Sequence, residues 1–189
     1  MLVPPDPKDP LNPKPDYINS LDASKKYIAE QKWNGDNCLI YTAGPGSSLE
    51  LWNRHKARLK YVPTPEMVAT IKRWPPNSVI NAELVHSKTK TVKNTLIVHS
   101  ALVWEGKPLI GKTWGDARKL IEGLNYSDNV RLSQIWQSGF WALFLAAEMP
   151  VIEGIVLKNP LGRLVISTTP VSDVSFMLKI RKPCKKYSF

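Results

Sequence analysis

Glu153-Gly154-Ile155-Val156-Leu157-Lys158 reads as one short β-strand, apolar in its middle, with a carboxylate and a glycine at one end and a lysine at the other. With each residue type at roughly 7% of positions, the pattern Glu-Gly-x-Val-x-Lys has far less than one expected match in a chain of this size. Around it, 151–158, 163–168 and 174–181 are short β-branched segments separated by Asn-Pro-Leu-Gly and Thr-Thr-Pro. Strands at hairpin spacing with a few helices between them predict an α+β fold of mostly antiparallel sheets flanked by helices, not a doubly wound one.

Toward the N-terminus the same texture continues. Residues 27–32 and 37–43 read as strands on either side of Trp33-Asn34-Gly35, the second ended by Gly44-Pro45-Gly46, and 48–54 returns as a hairpin partner. Thr64-Pro65-Glu66 predicts a helix start, with Thr as N-cap, running to about Arg73 and stopped by Pro75-Pro76. Strands follow at 78–86 and 94–104, the latter turned by Glu105-Gly106. A helix at 113–123 carries Trp114, Ala117, Leu120 and Ile121 on one face, and another spans 138–148. Residues 1–16 contain Pro4, Pro5, Pro7, Pro10, Pro13 and Pro15, which predicts an extended Pro-rich arm ahead of one domain at 17–189.

Composition narrows the function classes. A chain of 189 residues with 43% hydrophobic and 22% charged residues can bury a core, which excludes wholesale disorder. It has no run of 18 apolar residues and no signal-peptide pattern at its start, so the expectation is a soluble, intracellular (cytoplasmic) protein with no membrane partner. Cys38 and Cys184 make neither a disulfide framework nor a metal knuckle, and His55, His86 and His99 lack zinc-ligand spacing. A hard cation held by carboxylates stays open. Lys and Arg number 26 against 16 Asp and Glu, a net charge of +10 that favours a polyanionic partner such as nucleic acid. Lys179, Arg181, Lys182, Lys185 and Lys186 concentrate this charge near the end of the chain.

Four segments carry chemistry by their order. Ala29-Glu30-Gln31-Lys32-Trp33-Asn34-Gly35 is a lysine leaving a strand into a glycine turn; Asn77 to Val85 holds Glu83 inside an apolar strand; then come Glu153 to Lys158 and Leu178-Lys179-Ile180-Arg181. Lys-x-x-Gly alone means little, because Lys112-Thr113-Trp114-Gly115 repeats it ahead of a helix. Together, however, the four resemble motifs I, III, IV and V of the covalent nucleotidyltransferases: ATP-dependent DNA ligases, RNA ligases and mRNA capping enzymes. The stretch Thr95 to Glu122, with Glu105-Gly106, Pro108-Leu109 and a helix bearing Arg118, is similar to the DNA ligase region between motifs III and IV. The likeness runs from about residue 27 to 182.

The resemblance implies an ATP-dependent polynucleotide ligase, DNA favoured over RNA, with a capping-type guanylyltransferase as the near alternative. Lys32 would attack the α-phosphate of ATP, form lysyl-AMP, and pass AMP to a 5′-phosphate for displacement by a 3′-hydroxyl. An ordinary lysine is ammonium at neutral pH, so desolvation, cationic neighbours or a metal ion must release its proton. Lys158, Lys179 and Arg181 would clamp phosphates, and Glu153 and Glu83 would hold Mg²⁺ or Mn²⁺, with Glu83 alternatively serving the ribose. Arg54 takes the place of the motif Ia arginine, Glu30 and Gln31 would contact the nucleotide, and His99 stands where an aromatic ring stacks on adenine. Asn34 replaces the usual Asp of Lys-x-Asp-Gly. No OB-fold domain or motif VI follows Arg181, which leaves three expectations: a minimal enzyme, an excised domain, or a separate partner protein that supplies OB-domain functions. The expected partner is nicked duplex DNA or RNA. A non-catalytic nucleic-acid-binding protein retaining the fold is the reading from another class, with seven tryptophans as stacking surfaces.

Overall fold

A computed structural model describes residues 7–8, 14–43, 49–165 and 174–183. Their strands form two sheets. The four-stranded sheet has the order β1 (Pro7–Lys8), β10 (Val174–Arg181), β9 (Ile152–Lys158), β2 (Ile28–Trp33). The six-stranded sheet runs β4 (Glu50–Trp52), β3 (Asp36–Thr42), β5 (Ser78–Val85), β6 (Thr95–Trp104) and β7 (Lys107–Pro108), with β8 (Val130–Leu132) also on β6. Pairing is antiparallel except for β1 on β10 and β8 on β6. The α+β expectation of mostly antiparallel sheets flanked by helices is met, and the described residues include no OB domain.

Among the described residues four helices flank the sheets. The N-terminal α1 (Pro15–Ala23) and α4 (Phe140–Leu145) cover one face of the four-stranded sheet, where Ile18, Phe140 and Phe144 bury against Ile155, Leu157, Leu178 and Ile180. Asp22 of α1 accepts from the Gly139 and Phe140 amides at 2.7 and 3.2 Å, capping α4 from outside its own sequence. The helices α2 (Pro65–Ile71) and α3 (Trp114–Glu122) lie against the main core, which joins Met67, Ile71, Trp114, Ala117 and Ile121 to Cys38, Ile40, Ile80, Leu84, Leu96 and Val98. Thr64 and Thr113 cap them, accepting from Met67 N at 3.2 Å and Asp116 N at 3.0 Å. None of these helices is long and apolar enough to cross a membrane.

The strands on either side of Trp33-Asn34-Gly35 lie in different sheets, β2 in one and β3 in the other, so the chain crosses between sheets at Asn34-Gly35. Two sequence expectations need adjustment. A helix starts at Pro15, inside the expected extended arm, because proline at the first helical position lacks an N–H the helix does not use. Most of the arm lies outside the described residues, as do Gly44-Pro45-Gly46, 166–168, Cys184, Lys185 and Lys186. Where 163–168 is described, it forms only an isolated bridge from Arg163 to Thr113.

Candidate active site

The two sheets enclose a cleft of about 420 Å³, lined by all ten candidate residues: Glu30, Gln31, Lys32, Arg54, Glu83, His99, Glu153, Lys158, Lys179 and Arg181. Register explains most of this convergence. Across β2, β9 and β10, Ile28, Lys158 and Met177 lie in one row, Glu30, Val156 and Lys179 in the next, and Lys32, Gly154 and Arg181 in a third. Directly paired residues project from the same face, and strand residues two apart share it, so these rows build one wall. The intervening residues Ala29, Ile155, Leu157, Leu178 and Ile180 form the apolar core on the other face. Gln31 is in register with Ile155 and borders the cleft between Glu30 and Lys32.

Two side chains reach the site by breaking that alternation. The β2–β9 register shifts between Lys32 and Trp33, which pair with Gly154 and Ile152, so Glu153 is an extra residue. This bulge turns the Glu153 carboxylate onto the Lys32 ammonium, with which it forms an ion pair and hydrogen bond. On β6 the register shifts as well, since Asn81 pairs with Ser100 and Ala82 with Val98, and His99 is the residue between them.

Close approach fixes two glycines. A Cβ on Gly154 (φ +153°) would lie 2.0 Å from the Ile180 carbonyl oxygen, and one on Gly35 would lie 2.5 Å from Leu84 O and 2.7 Å from Glu83 Cγ. The Gly35 amide donates to Glu83 Oε1 at 3.0 Å, so this glycine seats the Lys32 turn directly on β5. Asn34 completes the turn by donating from Nδ2 to Pro150 O at 2.8 Å, a bond that an aspartate could not make.

Glu30 is the hub of a largely buried cluster in the cleft wall. Its Oε2 accepts from Lys158 Nζ at 2.9 Å and from His99 Nδ1 at 2.8 Å, while Arg118 Nη1 stands 3.8 Å from Oε1. Burial pushes the Glu30 carboxyl up, but Lys158 and His99 more than offset this and hold it down to about 2. Burial lowers the proton affinity of His99, so its neutral ring donates from Nδ1 to the carboxylate. Lys158 lies beneath the Trp114 ring, 4.8 Å from its centroid. Arg118 bridges α3 to Ser133 Oγ at 2.6 Å and to the His99 carbonyl at 3.4 Å. Thus Lys158, expected at the phosphates, has its ammonium committed to Glu30.

Glu83 faces this wall from the other sheet. Burial pushes its carboxyl up to about 7, against the pull of Lys32, Lys88 and the Gly35 amide. Among the described residues no three His, Cys, Asp or Glu gather into a metal-binding cluster. Glu83 and Glu153 both line the cleft, and carboxylate oxygens are the donor type that suits a hard cation.

Other residues of the cleft escaped sequence reasoning. Lys88, paired with Asp36 at 2.9 Å and donating to Gly35 O, lies outside every motif. Trp114 was legible only as a helix-face residue, yet it lines the cleft with Leu164, Val156 and Met177. Asn81 could have been found by alternation from Glu83; it accepts from Asn37 Nδ2 at 2.9 Å.

No protein-family model matches this sequence, and no curated protein matches it. Solved structures do. A mycobacterial DNA ligase D complexed with ATP superposes with a TM-score of 0.69 at 17% identity, over 95% of this chain and 60% of that one. The ligase domain of LigD from M. tuberculosis gives 0.67 at 18% identity, over 95% and 59%. A Lig E DNA ligase, described as binding DNA with a minimal scaffold, gives 0.57 at 13% identity, over 84% and 62%. The chain thus has the fold of DNA ligase domains, as its motifs led one to expect, and spans about three-fifths of the length of these chains.

Proposed function

We propose that this chain is the nucleotidyltransferase domain of an ATP-dependent polynucleotide ligase, with nicked duplex DNA favoured as substrate and RNA as the alternative. The observation that carries the reading is the cationic row: Lys32 and Arg181 flank the side-chain-free Gly154, Lys179 lies one row away, and Glu153 is turned onto the Lys32 ammonium. Two rows along the strands from this cationic end lies Met177, and Trp114 and Leu164 also line the cleft, with the Lys158 ammonium, already paired to Glu30, beside the Trp114 ring. A nucleotide fits this arrangement, with phosphates at the cationic end and base toward Met177 and Trp114. Glu30 Oε1, buried and accepting no hydrogen bond, lies beside the base seat as an acceptor for an exocyclic amine.

In the first step the Lys32 amine forms a bond to the α-phosphorus as the bond to the pyrophosphate oxygen breaks. The amine must first lose a proton, and Glu153 is the acceptor in contact with it. Arg181 and Lys179 offset the charge that builds on the phosphate oxygens. Mg²⁺ or Mn²⁺, when bound, would neutralise phosphate charge, and Glu83 and Glu153 are the carboxylates that fit it. Lysyl-AMP then yields AMP to a 5′-phosphate, and a 3′-hydroxyl displaces AMP to seal the strand.

The test is the intact mass of the protein after stripping with pyrophosphate and incubation with ATP and Mg²⁺. A gain of one AMP, roughly 329 Da, on the wild type and none on Lys32→Ala is expected for lysyl covalent catalysis. Adduct on both proteins would move the nucleophile elsewhere. Adduct from GTP in preference to ATP would favour a capping-type guanylyltransferase. No adduct from either, with nucleic-acid binding indifferent to Lys32→Ala, would leave a binding protein that keeps the fold.

A further inference from the structure

Asn34-Gly35-Asp36 carries the chain from the sheet of Lys32 to the sheet of Glu83. Glycine has no Cβ to limit its dihedral angles, so the peptide planes on either side of Gly35 are the freest joints of this crossing. Both planes are held from outside. The plane between Asn34 and Gly35 is fixed where the Gly35 amide donates to Glu83 Oε1 at 3.0 Å. The plane between Gly35 and Asp36 is fixed where the Gly35 carbonyl accepts from Lys88 Nζ. The same ammonium pairs with Asp36 Oδ1 at 2.9 Å, and Ser87 Oγ donates to Asp36 Oδ2 at 3.4 Å. Toward the other sheet, Asn34 donates from its backbone amide to Val151 O at 2.9 Å and from Nδ2 to Pro150 O at 2.8 Å.

Lys88 reaches the crossing from a loop that is itself fixed. Residues 86–94 connect β5 to β6, and buried Thr89 donates to Val92 O within them. Lys93 Nζ donates to His86 O at 2.6 Å, and the Tyr61 ring packs on His86 with centroids 4.9 Å apart. The Tyr61 hydroxyl donates to Asn94 Oδ1 at 3.2 Å, which ties the far end of the loop as well. The long Lys88 side chain therefore springs from a firm base. Lys88 is exposed, and exposed ion pairs contribute little to global stability, so the consequence of this one is local.

We propose that Lys88 is a positioning residue for the nucleophile: through Gly35 and Asp36 it holds the turn after Lys32 in one arrangement, so that the Lys32 amine stays aimed into the cleft. This rests on the ligase reading for the reaction at Lys32, but not for the restraint on the turn. Glu83 and Lys88 divide the work, one fixing the peptide before Gly35 and the other the peptide after it. Without Lys88 the second plane is free to rotate, and Lys32 spends less time where it can attack. Orientation of an attacking group governs the rate of the chemical step, not the affinity for substrate. Lys88 also lines the cleft, so direct contact with a phosphate is the competing role.

The test compares wild type, Lys88→Met and Lys88→Arg, each stripped with pyrophosphate. Lysyl-AMP formation is timed by intact mass over a range of ATP concentrations, and amide exchange is read residue by residue. Lys88→Met should lower the maximal rate about tenfold, with the half-saturating ATP concentration changed by less than about twofold. Lys88→Arg, whose guanidinium can donate to the same carbonyl and carboxylate, should return the rate to within about threefold of wild type. In Lys88→Met the Gly35 and Asp36 amides should exchange about tenfold faster or more, while those of β5 keep their protection. An unchanged rate would overturn the proposal. So would a raised half-saturating concentration at an unchanged rate, which would make Lys88 a phosphate contact. If neither protein forms lysyl-AMP while Lys88→Met loosens the Gly35 and Asp36 amides, the ligase reading falls and the restraint stands. If both form lysyl-AMP at one rate and exchange alike, the restraint falls and the ligase reading stands.

Discussion

Glu30 on β2 and Glu83 on β5 look across the cleft from opposite sheets, and both are carboxylates taken largely out of water. Glu30 meets Lys158 and His99 within 2.9 Å, with Arg118 near by, and its carboxyl is held down to about 2. Glu83 receives one backbone amide from Gly35 at 3.0 Å, and its carboxyl rises to about 7. Burial alone would raise both, so the difference lies in the cations each sheet supplies. Glu30 is already neutralised and ties β2, β6, β9 and α3 together. Glu83 gains most from a cation that arrives with a ligand, which suits a wall that faces phosphates and a metal ion.

The strongest way to break this contrast is Glu30→Gln. It strands the Lys158 ammonium without its counterion, and a loss of about 3–5 kcal/mol in urea unfolding is expected. A loss below about 1 kcal/mol would make Glu30 no more structural than Glu83. The contrast sharpens with pH. Between about pH 4.5 and 7 the folded protein keeps the Glu83 proton that the unfolded chain releases, so stability falls as pH rises, by up to about 3 kcal/mol. Glu83→Gln should flatten that window. Glu30 acts with the opposite sign: its contribution is complete above its ordinary value of 4.5 and disappears as pH falls toward about 2. A stability profile with no slope between pH 4.5 and 7 that Glu83→Gln alters would remove the distinction. The smallest effect concerns the crossing between the walls. Asn34→Asp loses the donor to Pro150 O, and about 1 kcal/mol of stability should go with it, read from the thermal midpoint.

The wall built by β2, β9 and β10 was legible because its chemistry follows a period of two: Glu30 and Lys32, Gly154 and Lys158, Lys179 and Arg181 need only the correct register to converge. The N-cap Thr64 was legible too, since capping is local. What stayed hidden depended on departures from that period or on distant partners. The bulges that aim Glu153 and His99 have no sequence signature of their own here: Glu153 stood out through the improbable Glu-Gly-x-Val-x-Lys pattern, and only the motif resemblance gave His99 a role. Gly35 was legible as the glycine of the turn after Lys32, but its close approach to the backbone of β5 was not. Lys88 and Trp114 belong to the site through tertiary folding alone. The helix α1 was obscured by the proline density of the segment from which it starts.

The missing side chain at Gly154 also acts as a ruler. Strands in a sheet lie about 4.8 Å apart, so two spacings set the Lys32 and Arg181 backbones roughly 10 Å from one another with nothing rising between them. That gap is measured by main-chain hydrogen bonds, which do not relax as side chains do. A tetrahedral oxyanion can settle there and be touched from both sides at once. Any substitution at residue 154 that kept the fold would erase this gauge without altering a single charge.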